Sequence, residues 1–141
     1  MEGPEHMETT KKGIILFSGR LNVVHPGHVI TILRLCEQHE MVKIVILDYP
    51  KRKTPAHWSR DILEEILSHT NHKWQIFIND SHFGKISMEE LTGYKPFDFY
   101  GAGNMEVINH IKTFEKELDF ETKWIDRSWF YEASRYDLTS E

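Results

Sequence analysis

The chain has 141 residues, a length that suits one domain around one core. With 40% hydrophobic and 28% charged residues the composition excludes a disordered chain, and no apolar run approaches the roughly 18 to 20 residues that cross a bilayer. A net charge of -5, from 17 Lys and Arg against 22 Asp and Glu, argues against a nucleic-acid-binding face, which is basic.

Met1 to Thr10 is polar and acidic, unlike a signal peptide, and Gly3-Pro4-Glu5-His6 ahead of Met7 reads as an expression-tag remnant. Residues 1–12 are therefore expected to be a disordered N-terminal segment, and 13–141 the folded domain. Gly13 to Ser18 (GIILFS) is a continuous apolar run that predicts a buried strand. Gly19 to Pro26 is a loop. From Gly27 the period changes: Val29, Ile32, Leu33 and Cys36 fall at i, i+3, i+4 and i+7 and predict a helix with that face inward. Cys36 is the single cysteine, so no intramolecular disulfide can form; a reducing, cytoplasmic location fits, with the thiol as a small buried hydrophobe. Val42 to Leu47 predicts a second strand. After a polar loop, Ser59 is expected to cap a helix whose apolar face is Ile62, Leu63, Ile66 and Leu67.

Trp74 to Ile78 predicts a third strand. Ser87 with Glu90 has the capping-box spacing and opens a short helix through Leu91. Phe97 to Tyr100 predicts a fourth strand, Asn104 to Leu118 a helix with Val107, Ile108, Ile111 and Phe114 inward, and Lys123 to Asp126 a fifth strand. A last short helix is expected near Ser134. Strand and helix alternate throughout, so the expected class is α/β: a single Rossmann-like domain with a five-stranded parallel sheet and helices on both faces. Such sheets bind ligands beyond the carboxyl ends of their strands, which directs attention to the loops after Ser18, Leu47, Tyr100 and Asp126.

The first of those loops reads Gly19-Arg20-Leu21-Asn22-Val23-Val24-His25-Pro26-Gly27-His28. Two imidazoles lie three positions apart where a strand gives way to a helix. Gly27 between them has no Cβ and lets a ligand approach the backbone. A helix N-terminus favours phosphate, and His25 and His28 can donate to phosphate oxygens in a charge-rich transition state. The same spacing also suits two ordinary histidines at a helix start, or a metal pair. No further Cys, Asp or His has an obvious ligand spacing to them. The basic cluster Lys51-Arg52-Lys53 reads either as a solvated loop or as a local anion site.

The run from Gly19 to His28 resembles the Gly-x-Phe-Asp-x-x-His-x-Gly-His signature of the cytidylyltransferase-like nucleotidylyltransferase superfamily. The resemblance extends from about Gly13 to Asp137, and the length is similar to that of glycerol-3-phosphate cytidylyltransferases. It implies that an NMP is transferred from CTP or ATP to a phosphorylated small molecule with release of pyrophosphate. It also implies magnesium as cofactor and a homodimer without nucleic-acid or membrane partners. Catalytic roles are implied for His25, His28 and a lysine, Lys51 or Lys53. Phosphate or nucleotide contacts are implied for Ser18, Gly19, Arg20, Asn22, Gly27, Arg60, Arg127 and Ser134, and for the Gly101 turn against the base. Asp48 is a candidate helper of the metal ion.

The chain departs from the family in places. Asn22 replaces Asp, Leu21 replaces Phe, and Glu132 and Asp137 stand where the phosphate-holding segment carries Ser and a basic residue. Arg20 is shared instead with nicotinamide-nucleotide adenylyltransferases, which read Gly-Arg-Phe. Two alternatives follow: an adenylyltransferase of that type, or a non-catalytic nucleotide-binding regulatory protein on the same fold. A phosphatase-like hydrolase is a further rival.

Overall fold

The computed structural model describes residues 11–22, 24, 26–48, 53–80, 87–125 and 128. Among the described residues five strands, β1 (Lys12–Gly19), β2 (His39–Leu47), β3 (Trp74–Asn79), β4 (Phe99–Ala102) and β5 (Glu121–Trp124), form one sheet in the order β3-β2-β1-β4-β5. All four pairings are parallel, with Phe17 opposite Ile44 on one side of β1 and Gly101 on the other. The helices are α1 (Pro26–Gln38), α2 (Ala56–Leu67), α3 (Met88–Gly93), α4 (Met105–Lys112) and α5 (Glu115–Leu118).

Ile14–Phe17 of β1 and Ile44–Leu47 of β2 are apolar runs because both faces of these strands are covered; buried Lys43 interrupts β2, and its Nζ donates to the Tyr94 carbonyl at 2.7 Å. Ile15, Phe17, Ile44 and Ile46 pack with Ile32, Leu35 and Cys36 of α1 and Leu63 and Leu67 of α2. Leu16, Val45 and Leu47 point the other way, into a second core with Leu91 of α3, Val107, Ile108 and Ile111 of α4, and Phe97, Tyr100 and Phe120. The chain is thus the α/β domain expected, a Rossmann-like parallel sheet clothed on both faces. Burial pushes the Cys36 thiol up to about 11, which leaves it an inert core group.

Several local expectations need correction. α1 starts at Pro26, where the missing N–H costs nothing. Its buried face is Gly27, Thr31, Ile32, Leu35 and Cys36; Val29 and Leu33 are only partly covered. The burial reaches back to the first turn, at Gly27. α2 starts at Ala56, so Ser59 is internal instead of a cap; its hydroxyl donates to the Leu21 carbonyl at 2.6 Å. The inward stripe of α2 is then Ala56, Ser59, Leu63 and Leu67, and Ile62 is left 46% exposed.

β4 runs two residues past its expected end. Phe97 is a core side chain ahead of the strand, and Asp98 closes on Ile14 through both its N–H (2.7 Å) and its carboxylate (2.8 Å). The expected helix over 104–118 is two. Asn104 caps the first by accepting from the N–H groups of Glu106 (2.8 Å) and Val107 (3.4 Å). Bonds at i+3 spacing, Thr113 to His110 and Phe114 to Ile111, then tighten and end it. β5 begins at Glu121, two residues early, anchored by buried Phe120. The Ser87–Glu90 capping box forms as expected. The last predicted helix, near Ser134, lies outside the described residues.

A buried histidine marks the amino end of the sheet. His39 is 1% exposed; its Nδ1–H donates to the Lys12 carbonyl at 2.9 Å, which leaves Nε2 to accept from Lys123 Nζ at 3.2 Å. The ring packs on Phe99 with centroids 5.3 Å apart. Burial, then the Lys123 ammonium, hold the imidazole below its ordinary pKa; the bond to the Lys12 carbonyl opposes this, the Lys12 ammonium adds to it, and Asp98 opposes it. A depressed histidine pKa means that the folded chain binds fewer protons than the unfolded one. Stability from this site is therefore fully present above the unfolded value of about 6.5 and is lost as pH falls below it toward the folded value. Melting temperature between pH 7.5 and pH 5 should fall less steeply in His39→Gln than in the wild type. Parallel curves would show that the ring does not titrate in this way.

Candidate functional site

Strand order reverses beside β1: the chain steps outward through β2 and β3, then returns to the other side at β4. The loops after β1 and β4 diverge at that point, and a cavity of about 300 Å³ opens between them. This volume is at the lower end of small-molecule sites, roughly 300 to 1,000 Å³. Its floor is formed by the strand ends Phe17, Ser18, Leu47 and Ala102, and its walls by Gly19-Arg20-Leu21, His28 and Thr31 on one side and Gly103, Asn104, Val107 and Ile125 on the other.

The Gly19–His28 loop is held by bonds to the start of α2. Leu21 is buried with a left-handed φ of 45°, a conformation that costs a non-glycine residue roughly 1–2 kcal/mol. Ser59 bonds its carbonyl from below. Asn22 Oδ1 accepts from the backbone N–H groups of Lys53 (2.9 Å) and Thr54 (3.4 Å), and the Thr54 hydroxyl donates back to the Asn22 carbonyl. The motif loop is thereby fastened to the basic loop. Asn22→Ala removes the shared acceptor, so amide exchange at Lys53 and Thr54 should rise at least roughly fivefold. Asn22→Asp keeps an acceptor oxygen and should exchange near the wild-type rate. Equal exchange in all three proteins would contradict the clasp.

α1 and α4 both point their N-termini toward this end of the sheet, but they differ chemically. The first turn of α1 carries no acidic residue. It presents His28, half-buried, on the cavity wall, with Thr31 one turn on bonded to the Gly27 carbonyl at 2.9 Å. The first N–H groups of α4 are already bonded to the Asn104 side chain, and Glu106 lies in its first turn. An anion is therefore favoured at α1 and disfavoured at α4.

Of the residues singled out in the sequence, Ser18, Gly19, Arg20 and His28 line the cavity, with buried Gly27 immediately before His28. Asn22 acts as the clasp just described. Gly101 does not face the cavity. It is buried within β4, where an added Cβ would lie 2.8 Å from Ile125 Cδ1; the following Ala102-Gly103-Asn104 provides the wall instead. Arg60 lies along α2 beside Asp61 (3.3 Å), and Lys53 is exposed; neither side chain lines the cavity. Asp48 follows Leu47 and donates its N–H to the Asn79 carbonyl at 2.7 Å. His25, Lys51, Arg127 and Ser134 lie outside the described residues. The apolar lining by Leu47, Val107 and Ile125 went unrecognised in the sequence, where each reads as core; only their places at strand ends and helix starts could have marked them.

Among the described residues no three His, Cys, Asp or Glu side chains gather to hold a metal ion, and no helix is long and apolar enough to cross a membrane. No protein-family model matches the chain, and no curated protein matches it.

Proposed function

We propose that the protein is a nucleotidylyltransferase, which transfers an NMP from CTP or ATP to a phosphorylated small molecule and releases pyrophosphate. The observation that supports this reading best is His28 beside Gly27 on the first turn of α1, facing a cavity at the reversal of strand order. The acceptor's phosphate oxygen attacks the α-phosphorus in line. The bond to the bridging oxygen breaks and pyrophosphate leaves. The His28 imidazole donates a hydrogen bond where negative charge builds up, and Arg20 on the same wall adds a fixed positive charge. His25, Lys51 or Lys53, Arg127 and Ser134 are proposed to complete the phosphate contacts.

Because the described residues gather no ligand cluster of their own, magnesium is proposed to arrive with the triphosphate, whose charge it neutralises; Asp48 is the carboxylate proposed to assist. A homodimer in the cytoplasm is the proposed setting. The test is pyrophosphate release from CTP and ATP, measured separately with magnesium across a panel of phosphorylated acceptors. Acceptor-dependent release supports the transferase and names both substrates. Arg20 favours ATP with a nicotinamide-nucleotide acceptor as the second reading. Glu132 and Asp137 favour the regulatory alternative, which binds nucleotide and releases no pyrophosphate.

A further inference from the structure

Beneath the cavity lies a buried pair of hydroxyls. Tyr100 is fully buried, and its phenol donates to Ser18 Oγ over 2.7 Å. Its backbone is paired with Leu16, two residues before Ser18 on β1, so the ring reaches along the strand to the serine. Phe97 and Phe120, each with its ring centroid 6.3 Å away, hold it in place. Burial drives the phenol pKa well above its ordinary value, a shift that the bond to Ser18 only partly offsets, so the group keeps its proton. A phenol is also a better donor than an aliphatic hydroxyl. The proton in this bond therefore belongs to Tyr100, and the Ser18 hydrogen must point elsewhere. Among the described residues the Ser18 side chain has no second hydrogen bond, and Ser18, only 5% exposed, lines the cavity.

We propose that Tyr100 is a positioning residue that turns the Ser18 hydroxyl into the cavity as a hydrogen-bond donor to an acceptor atom on the nucleoside part of the bound nucleotide. This rests on the nucleotide reading above. The nucleoside is assigned by sides of the sheet. Ser18 projects on the α4 face, where Asn104 and Glu106 already occupy the helix N-terminus, whereas His28 and the first turn of α1, which carries no acidic residue, lie across the sheet and attract the phosphates. A hydroxyl held as a donor bonds to a ring nitrogen or carbonyl oxygen, which accepts, and rejects an amino group at the same point.

Calorimetric titration of the full chain with CTP, ATP and inorganic tripolyphosphate, all with magnesium, tests this in the wild type, Ser18→Ala, Tyr100→Phe and the double variant. Melting temperatures check that each variant folds. Each single change should weaken nucleotide binding by roughly 5- to 20-fold. The double variant should bind no more weakly than Ser18→Ala, and tripolyphosphate affinity should not change. Unchanged nucleotide affinity in folded variants, or losses that multiply in the double variant, overturns the pairing. An equal loss for tripolyphosphate overturns the nucleoside assignment. If Tyr100→Phe does not fold, Ser18→Ala alone decides, since its nucleotide affinity must fall. Wild type that binds neither nucleotide overturns the proposed function and this inference together; binding that the variants leave intact overturns this inference alone.

Discussion

His28→Ala should lower pyrophosphate release about a hundredfold or more while leaving the melting temperature within a few degrees of the wild type. His28 is half-buried on the first turn of α1 and lines the cavity; the hydrophobic core that holds α1 is made by Ile32, Leu35 and Cys36 further along. Truncating the imidazole therefore removes a donor from the site without opening a hole in that core. The loss should appear in kcat more than in nucleotide affinity, because a donor aimed at developing charge acts mostly in the transition state. A variant that keeps more than about a third of the wild-type kcat would remove His28 from the chemistry.

Gly101→Val should act in the opposite way, on stability. Gly101 is paired on both sides, with Phe17 of β1 and Lys123 of β5, and Ile125 and Ile15 close over it; a Cβ there would lie 2.8 Å and 3.1 Å from their Cδ1 atoms. Forcing a branched side chain into that space costs about 1–3 kcal/mol. For a chain of this size that is a fall in melting temperature of roughly 3–12 °C. Ile125 lines the cavity, so some loss of affinity follows its displacement, but thermal unfolding carries the main effect. If Gly101→Val melts like the wild type and loses only nucleotide affinity, the glycine serves the ligand directly, as the sequence reading had it.

The two cases show what was legible in the chain. β1 and β2 were readable because strands buried on both faces carry apolar runs, Ile14–Phe17 and Ile44–Leu47, and the alternation of strands with helices led from there to the parallel sheet. The loop ending in His28 was readable because the position of Gly27 and the imidazole follows from where a strand must give way to a helix. The rotation of α1 was not readable: Leu33 and Leu35 are both apolar, and spacing alone does not choose between two adjacent stripes. The stripe that is buried begins with Gly27 and Thr31, whose hydroxyl bonds the Gly27 carbonyl within the helix. The clasp of Asn22 to Lys53 and Thr54 was not readable, because the pairing spans about thirty residues and leaves no local signature. The Ser18–Tyr100 bond joins residues 82 positions apart and is equally invisible before the sheet forms. Leu47, Val107 and Ile125 look like core in the sequence because they are core, with one side turned to the cavity.

The proposed chemistry is tested most directly by its balance. The wild-type protein, with magnesium, one nucleoside triphosphate and the acceptor found in the panel, is assayed for pyrophosphate, inorganic phosphate and the NMP–acceptor product together. A nucleotidylyltransferase forms one pyrophosphate for each condensed product, no inorganic phosphate, and nothing when the acceptor is omitted. Inorganic phosphate or free NMP released without acceptor would instead identify a hydrolase and contradict the transfer reaction.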